Sequence, residues 1–313
     1  MDLRDRYRGA LLGLAAGDAL GTTLEFKPPG TFKPIDDMVG GGPFRLNPGE
    51  WTDDTSMALC LAESLIDSQG FDAQDQMGRY CKWYREGYLS SNGSCFDIGM
   101  TTETALRNYE KSGQAFAGST DSDSAGNGSL MRLAPIPMAF RGRGDEMWDY
   151  AVQSSATTHG AQACLDACGY YSLLIDGALS GMSKDELLSE SNVPDRLRSS
   201  GATPAVREIA SGSYRTRRPP DIRGTGYVIH ALEAALWAFY HSTSFEEGAL
   251  MAVNLGDDAD TTGAIYGQLA GAYYGFNGIP IDWRTKIALS ELIMSYADEL
   301  LVFSGGDKDA GLI

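Results

Sequence analysis

Apolar residues recur along this chain at helical spacing. Met57, Leu61 and Leu65 stand four apart with Ala58 and Ala62 beside them, so the segment opening at Thr55 predicts a helix with one buried face. After Tyr227, the positions Val228, Leu232, Ala235, Leu236 and Phe239 follow the same rule, as do Ile265, Leu269 and Tyr273. The stretch from Trp283 to Phe303 carries Ile287, Leu289, Leu292, Ile293, Tyr296 and Leu300 and predicts one more long amphipathic helix. Alternating β-branched runs bounded by turn residues are nearly missing. The pattern predicts an all-α fold.

Three segments interrupt it. Residues 27–50 hold Pro28, Pro29, Pro34, Pro43 and Pro48 around Gly40-Gly41-Gly42, which no regular element tolerates. Residues 112–129 are rich in Gly, Ser and Asp and end in Gly126-Asn127-Gly128-Ser129. Residues 189–226 are polar and carry Arg215, Arg217 and Arg218, which read as a solvated loop face. None resembles an interdomain linker, and no solenoid repeat is present. One helical domain over residues 1–313 is the expectation, and a core of that size needs no second copy, so the chain is expected to be a monomer.

Charge narrows the function classes. The 42 Asp+Glu against 25 Lys+Arg leave a net charge of −17, which repels phosphate backbones and anionic lipid. Neither nucleic acid nor a membrane is an expected partner. The N-terminus lacks the basic region and apolar core of a signal peptide, and no run reaches the roughly 18 apolar residues of a membrane span. Cys60, Cys81, Cys95, Cys164 and Cys168 form no metal-binding or disulfide pattern and read as small buried hydrophobes in a reducing compartment. A cytoplasmic location is expected.

Two acidic clusters carry the candidate chemistry. Trp51-Thr52-Asp53-Asp54-Thr55 directly precedes one predicted helix, and Gly256-Asp257-Asp258-Ala259-Asp260-Thr261-Thr262-Gly263 precedes another. Helix N-termini lower the cost of gathering negative charge through their unpaired N–H groups and macrodipole. One cap needs only one side chain. The surplus admits two readings, surface caps or an oxygen-rich cage formed if the clusters meet; such a cage selects Mg²⁺, Mn²⁺ or Ca²⁺ over zinc and has enough ligands for two ions. Gly9, Gly13, Gly17 and Gly21 recur every four residues, as do Gly263, Gly267, Gly271 and Gly275. Glycine costs about 1 kcal/mol per helical position relative to alanine, so two registered stripes imply helices in close backbone approach. That contact would bring the N-terminal helix against the one following the second cluster.

Gly17-Asp18-Ala19-Leu20-Gly21 with Glu25-Phe26, then Trp51 through Thr55, resembles the opening of the ADP-ribosylglycohydrolase family. The resemblance continues in order through Phe96-Asp97-Ile98-Gly99, Gly126-Asn127-Gly128-Ser129-Leu130-Met131-Arg132, Thr158-His159-Gly160, Gly226-Tyr227-Val228 with Leu232 through Trp237, and Gly256 through Gly263. It implies a compact orthogonal bundle of helices with a site for two divalent ions, Mg²⁺ or Mn²⁺, at the base of an ADP-ribose cleft. Carried over by position, Thr52, Asp53, Asp54, Asp258, Asp260 and Thr261 would be metal ligands, with Asp257 outside the set. Glu25 would be a ligand or general base, and Asp97 would assist proton transfer at the ribose. His159 would line the ribose or diphosphate side, the loop from Gly126 through Asn127 and Gly128 to Ser129 would offer N–H groups to phosphate, and Tyr227 would pack on the adenosine half. Asp18 would brace the metal loop, while His230 and His241 have no assigned role.

The activity so implied is release of ADP-ribose from a modified protein side chain, first of all from arginine through its N-glycosidic bond. Met100 stands where arginine-directed relatives would be expected to have a polar residue, and a thioether is a poor hydrogen-bond partner. ADP-ribosylserine and O-acetyl-ADP-ribose are therefore alternative substrates. A non-catalytic ADP-ribose binder and a toxin-immunity protein acting by contact are alternatives of another class.

Overall fold

The computed structural model describes residues 1–199 and 201–306. Ser200 within the 189–226 segment, and residues 307–313 of the expected domain, lie outside them. Among the described residues the chain is built from helices: α1 (Leu3–Gly21), α2 (Asp53–Asp67), α3 (Ala73–Glu86), α4 (Met100–Ser112), α5 (Pro135–Ala139), α6 (Asp145–Ala156) and α7 (Gln162–Leu179) come first. They are followed by α8 (Lys184–Leu187), α9 (Asp195–Arg198), α10 (Pro204–Ala210), α11 (Val228–His241), α12 (Phe245–Val253), α13 (Ala259–Tyr274), α14 (Ile281–Lys286) and α15 (Ser290–Phe303). Among the described residues, extended pairing is limited to the isolated bridges Gly41–Leu46, Ser119–His159 and Gly126–Tyr227. No described helix is long and apolar enough to cross a membrane.

The antiparallel pair α1–α13 is the axis of the molecule. A Cβ on Gly17 would lie 2.0 Å from the Gly263 carbonyl oxygen, one on Gly267 2.0 Å from that of Gly13, and one on Gly271 1.9 Å from that of Gly9. Only hydrogen fits at these crossings, which is why two registered stripes persist against their cost in helix propensity. Gly21 closes on Ala259 in the same way. Gly275 ends α13 with φ 76° and still meets α1, a Cβ on Gly9 falling 2.6 Å from its carbonyl carbon. Around this pair a continuous core runs from Tyr7 to Leu301.

Other elements follow local chemistry. Asp2 and Asp72 cap α1 and α3 through their carboxylates, and left-handed Gly87 and Gly113 end α3 and α4. The Pro-rich segment 27–50 is pinned by Asn254, whose side chain exchanges hydrogen bonds with the Ile35 backbone at 2.8 and 2.9 Å.

Three sequence expectations need correction. The helix expected from Trp283 to Phe303 breaks between α14 and α15, with Leu289 at φ 54°. The Ala288 N–H donates to the Gly49 carbonyl at 2.9 Å, and the Ala288 carbonyl accepts from Trp51 Nε1 at 3.0 Å. The 189–226 segment contains α9 and α10, and the arginines at 215, 217 and 218 are engaged: Arg217 pairs with buried Glu233 at 2.8 Å, Arg215 donates to the Leu188 carbonyl while lying over the Tyr240 ring, and Arg218 donates to the Arg215 and Arg217 carbonyls. Of the five free cysteines, Cys81 and Cys95 are only half-buried.

Candidate active site

The α1–α13 crossing brings the two acidic clusters together. Asp53 and Asp54 open α2, Asp258 is the N-cap residue of α13, and Asp260 lies in its first turn. Thr52 Oγ1 lies 3.1 Å from Asp54 Oδ2 and 3.4 Å from Asp260 Oδ2; Thr261 Oγ1 lies 3.4 Å from Asp54 Oδ2. One carboxylate oxygen from each of Asp18, Asp54 and Asp260 falls within 4.8 Å of the others, and the same holds for Glu25, Asp97 and Asp260. Asp260 joins both groups. Asp53 and Asp258 are adjacent to them, and both line the cleft above.

Asp18 serves the structure. Thr52 provides no side-chain cap for α2. Instead Asp18 Oδ1 accepts from the Thr52 N–H and hydroxyl, both at 2.9 Å, and Oδ2 accepts from the Thr55 N–H at 3.1 Å and hydroxyl at 2.6 Å. Asp257 stands outside the cluster, half-buried at φ 53°, with its backbone tied to residues 26 and 27.

Packing so many carboxylates together raises their proton affinity. Burial, then the charge of Asp97, pushes Glu25 up to about 9. Burial raises Asp97 to about 7 and Asp18 to about 6. Asp53, Asp54 and Asp260 are held well above the ordinary aspartate range, first by burial and then by their neighbours' charges. Asp54 Oδ1 and Glu25 Oε2 are buried without a hydrogen-bond partner. Orphaned oxygens of this kind, in an all-oxygen donor set, fit a hard divalent cation.

A cleft of about 430 Å³ opens over the carboxylates. Glu25, Asp53, Asp97, Asp258, Asp260 and Thr261 line one side; Gly126, Asn127, Gly128 and His159 line another. Thr52 and Asp54 lie beneath, fully buried. Asn127 has a role that spacing did not suggest: its Nδ2 donates to Asp258 Oδ2 at 2.7 Å and ties the glycine loop to the acidic cluster. The loop's donors are fewer than expected, because the Gly126 and Asn127 N–H groups are engaged by the Ser124 and Gly226 carbonyls. Gly128 and Ser129 are the candidates that remain, and the Ser129 side chain is turned inward to Ser155.

His159 is held from behind. Arg132, fully buried and 4.6 Å over the Tyr80 ring, donates to Thr158 Oγ1 at 2.7 Å, and that hydroxyl lies 2.8 Å from His159 Nδ1. Burial, aided by Arg132, depresses His159 to about 3, so its imidazole is neutral at pH 7. Arg132 and Thr158 stand in the matched motifs, yet sequence assigns them no role; the visible signal is an arginine inside the apolar run Leu130 to Leu133. Tyr227 lies outside the cleft proper, on an adjoining cavity of about 600 Å³ that shares Gly126 and Gly226 with it. His230 lies edge-on to Tyr227 at 5.1 Å and bonds Thr225, so it positions the segment, a role its sequence context did not reveal. Met100 heads α4 at the cleft rim and is 85% exposed. A larger cavity of about 690 Å³, lined by Pro29, Ile222, Trp237 and Met251 among others, contains none of the predicted site residues.

Residues 1–309 match the sequence profile of the family described as ADP-ribosylglycohydrolase. The chain belongs to the ADP-ribosylglycohydrolase family. It is 45% identical over 296 residues to ADP-ribosylarginine hydrolase Tri1 of Pseudomonas putida (strain GB-1), covering 95% of this chain and 78% of that protein. Identity to the Tri1 of Serratia proteamaculans (strain 568) is 43%, with 95% and 79% covered. Identity to ADP-ribosyl-[dinitrogen reductase] glycohydrolase of Rhodospirillum rubrum is 30%, with 97% and 98% covered. A solved structure described as an ADP-ribosylglycohydrolase-related protein complex superposes with a TM-score of 0.85 at 45% identity, covering 96% of this chain and 99% of that one. This ADP-ribosylglycohydrolase is therefore a glycosidase, and the acidic cleft is its candidate active site.

Proposed function

We propose that this enzyme hydrolyses the N-glycosidic bond between ADP-ribose and arginine side chains of modified proteins. The observation that carries the reading is the convergence of Glu25, Asp97 and Asp260 under a cleft whose opposite side is the Gly126–Gly128 loop and a neutral histidine. The likeness to two ADP-ribosylarginine hydrolases supports arginine as the acceptor. Met100 does not oppose it, since its side chain stands at the exposed rim.

Thr52, Asp53, Asp54, Asp258, Asp260 and Thr261 are the proposed ligands for two Mg²⁺ or Mn²⁺ ions, with the orphaned Asp54 Oδ1 supporting the fit. Bound there, such ions supply Lewis acidity, a template for the ribose hydroxyls and a water of lowered pKa. Glu25, ionised once a cation held by the cluster offsets the burial and the neighbouring negative charges that raise it, and with Oε2 unpartnered, would accept the proton of the water that attacks C1″. The C1″–N electron pair passes to the nitrogen of the protonated guanidinium, which leaves as neutral guanidine and takes up the proton that Glu25 received; the surrounding carboxylates stabilise the guanidinium so formed. Asp97 handles proton transfer at the ribose hydroxyls. His159 and the free N–H groups of Gly128 and Ser129 donate to the diphosphate, and the adenosine extends towards Tyr227.

The test is ADP-ribose release from matched arginine- and serine-modified peptides with Mg²⁺, Mn²⁺ or EDTA, beside Asp260→Asn. Metal-dependent release from the arginine peptide, lost in the variant, is expected. Release from the serine peptide alone would reassign the linkage, and ADP-ribose binding without release from either would overturn the hydrolase reading.

A further inference from the structure

Three phenylalanines from three separate segments form a row that begins at the cleft wall, where Phe26 lines the cavity beside Glu25. The rings of Phe26 and Phe44 are 6.4 Å apart at 71°, and those of Phe44 and Phe96 are 5.2 Å apart at 54°. Phe26 directly follows Glu25, and Phe96 directly precedes Asp97. The row is not hidden in the core: Phe26 is 66% exposed, and Phe44 and Phe96 are half-buried.

The backbone holds this exposure at a cost. Phe26 has φ 59° and Asp97 φ 63°, left-handed values that a bulky residue seldom adopts. The Phe26 turn is fastened by the Phe26 N–H donating to the Asp257 carbonyl at 2.7 Å and the Asp257 N–H donating to the Lys27 carbonyl at 2.8 Å. Phe44 sits in a turn closed by the Gly41–Leu46 bridge, and a Cβ on neighbouring Gly42 would lie 2.0 Å from the Thr22 carbonyl oxygen. The Phe26 and Phe44 rings are each presented by a clamped loop.

We propose that Phe26, Phe44 and Phe96 form the acceptor-side subsite, receiving the arginine stem and the peptide residues flanking it. The assignment rests on the arginine-hydrolase reading above. Whatever leaves C1″ departs from beside Glu25 and Asp97, and Phe26 lines that same cleft with Phe44 and Phe96 continuing the row outward from it. Aromatic faces attract a guanidinium, and the edges of the row contact its aliphatic stem. The acidic cleft and the net charge of −17 complement a cationic acceptor segment. A serine acceptor has neither the cation nor the stem and gains less from the row.

The experiment compares wild-type enzyme with Phe44→Ala, Phe26→Ala and Phe44→Trp, each checked by melting temperature. It measures kcat and KM on an arginine-ADP-ribosylated peptide and, separately, calorimetric binding of free ADP-ribose. The expected result is an about tenfold rise in peptide KM for each alanine variant, restoration by Phe44→Trp, and unchanged ADP-ribose affinity. Unchanged peptide kinetics would overturn the subsite, and a parallel loss of ADP-ribose affinity would reassign the row to the nucleotide side. Wild-type enzyme that binds ADP-ribose but never cleaves the peptide would overturn the parent reading, and this one with it.

Discussion

Asp18 caps a helix to which it does not belong: its Oδ1 accepts both the N–H and the hydroxyl of Thr52 at 2.9 Å, across 34 residues of sequence. With Thr55 on Oδ2, all four donors come from the first turn of α2, where Asp53 and Asp54 reside. Asp18→Asn turns an amide N–H₂ towards the Thr55 N–H and leaves that buried donor unsatisfied. The expected cost is about 2 kcal/mol, with weaker metal binding because the two aspartates lose their register. Melting curves with and without Mn²⁺ check this; a variant as stable and as metal-responsive as wild type would show that Asp18 does not brace the site.

The α1–α13 contact leaves no room for a side chain at its crossings. A Cβ at position 267 would fall 2.0 Å from the Gly13 carbonyl oxygen, and the obstacle is backbone that no rotamer change can move. Gly267→Ala gains about 1 kcal/mol of helix propensity and loses more by wedging two core helices apart. A net destabilisation of about 2 kcal/mol or more is expected by urea denaturation. Stabilisation instead would mean the helices can separate without penalty.

These two elements show what sequence could and could not reveal. The glycine registers and the surplus aspartates are local patterns, and both pointed to the crossing that assembles the site. The break at Leu289 has no local cause: Gly49 and Trp51 engage the Ala288 backbone from more than two hundred positions away. The bracing role of Asp18 comes from the family resemblance and not from any local pattern, and Arg132 acts through Thr158, an ordinary residue whose partners are set by packing. The same holds for Asn127, which reads as a turn residue and serves as a clamp on Asp258.

With no metal bound, stability should depend on pH in a definite direction. Glu25 at about 9, Asp97 at about 7 and Asp18 at about 6 all lie above their unfolded values near 4, so the native state holds more protons than the unfolded chain. This contribution is fully present below about pH 4 and is lost as pH rises towards about 9. In EDTA the melting temperature should therefore fall between pH 5.5 and 8.5. Mn²⁺ replaces the protons and should raise it more at the alkaline end. Asp260→Asn should flatten the EDTA slope and shrink the Mn²⁺ response. A melting temperature that climbs with pH in EDTA would contradict the assignment.

His159 should behave in the opposite sense. The Thr158 hydroxyl accepts from Arg132 and has its one hydrogen left for His159 Nδ1, so the imidazole proton belongs on Nε2. That nitrogen faces the glycine loop, 3.3 Å from where a Cβ on Gly126 would stand. Its pKa of about 3 lies below the unfolded value near 6.5, so the unfolded chain takes the proton first as pH falls. The resulting stabilisation is present above pH 6.5 and is lost towards pH 3, at about 1.4 kcal/mol per pH unit. His159→Gln should lose less stability than wild type across that window. Imidazole ¹⁵N spectra of the wild-type protein should keep the Nε2–H pattern unchanged from pH 8 to pH 5. A His159 signal titrating between pH 6 and 7 would show a charged donor at the cleft and overturn the neutral role assigned to it.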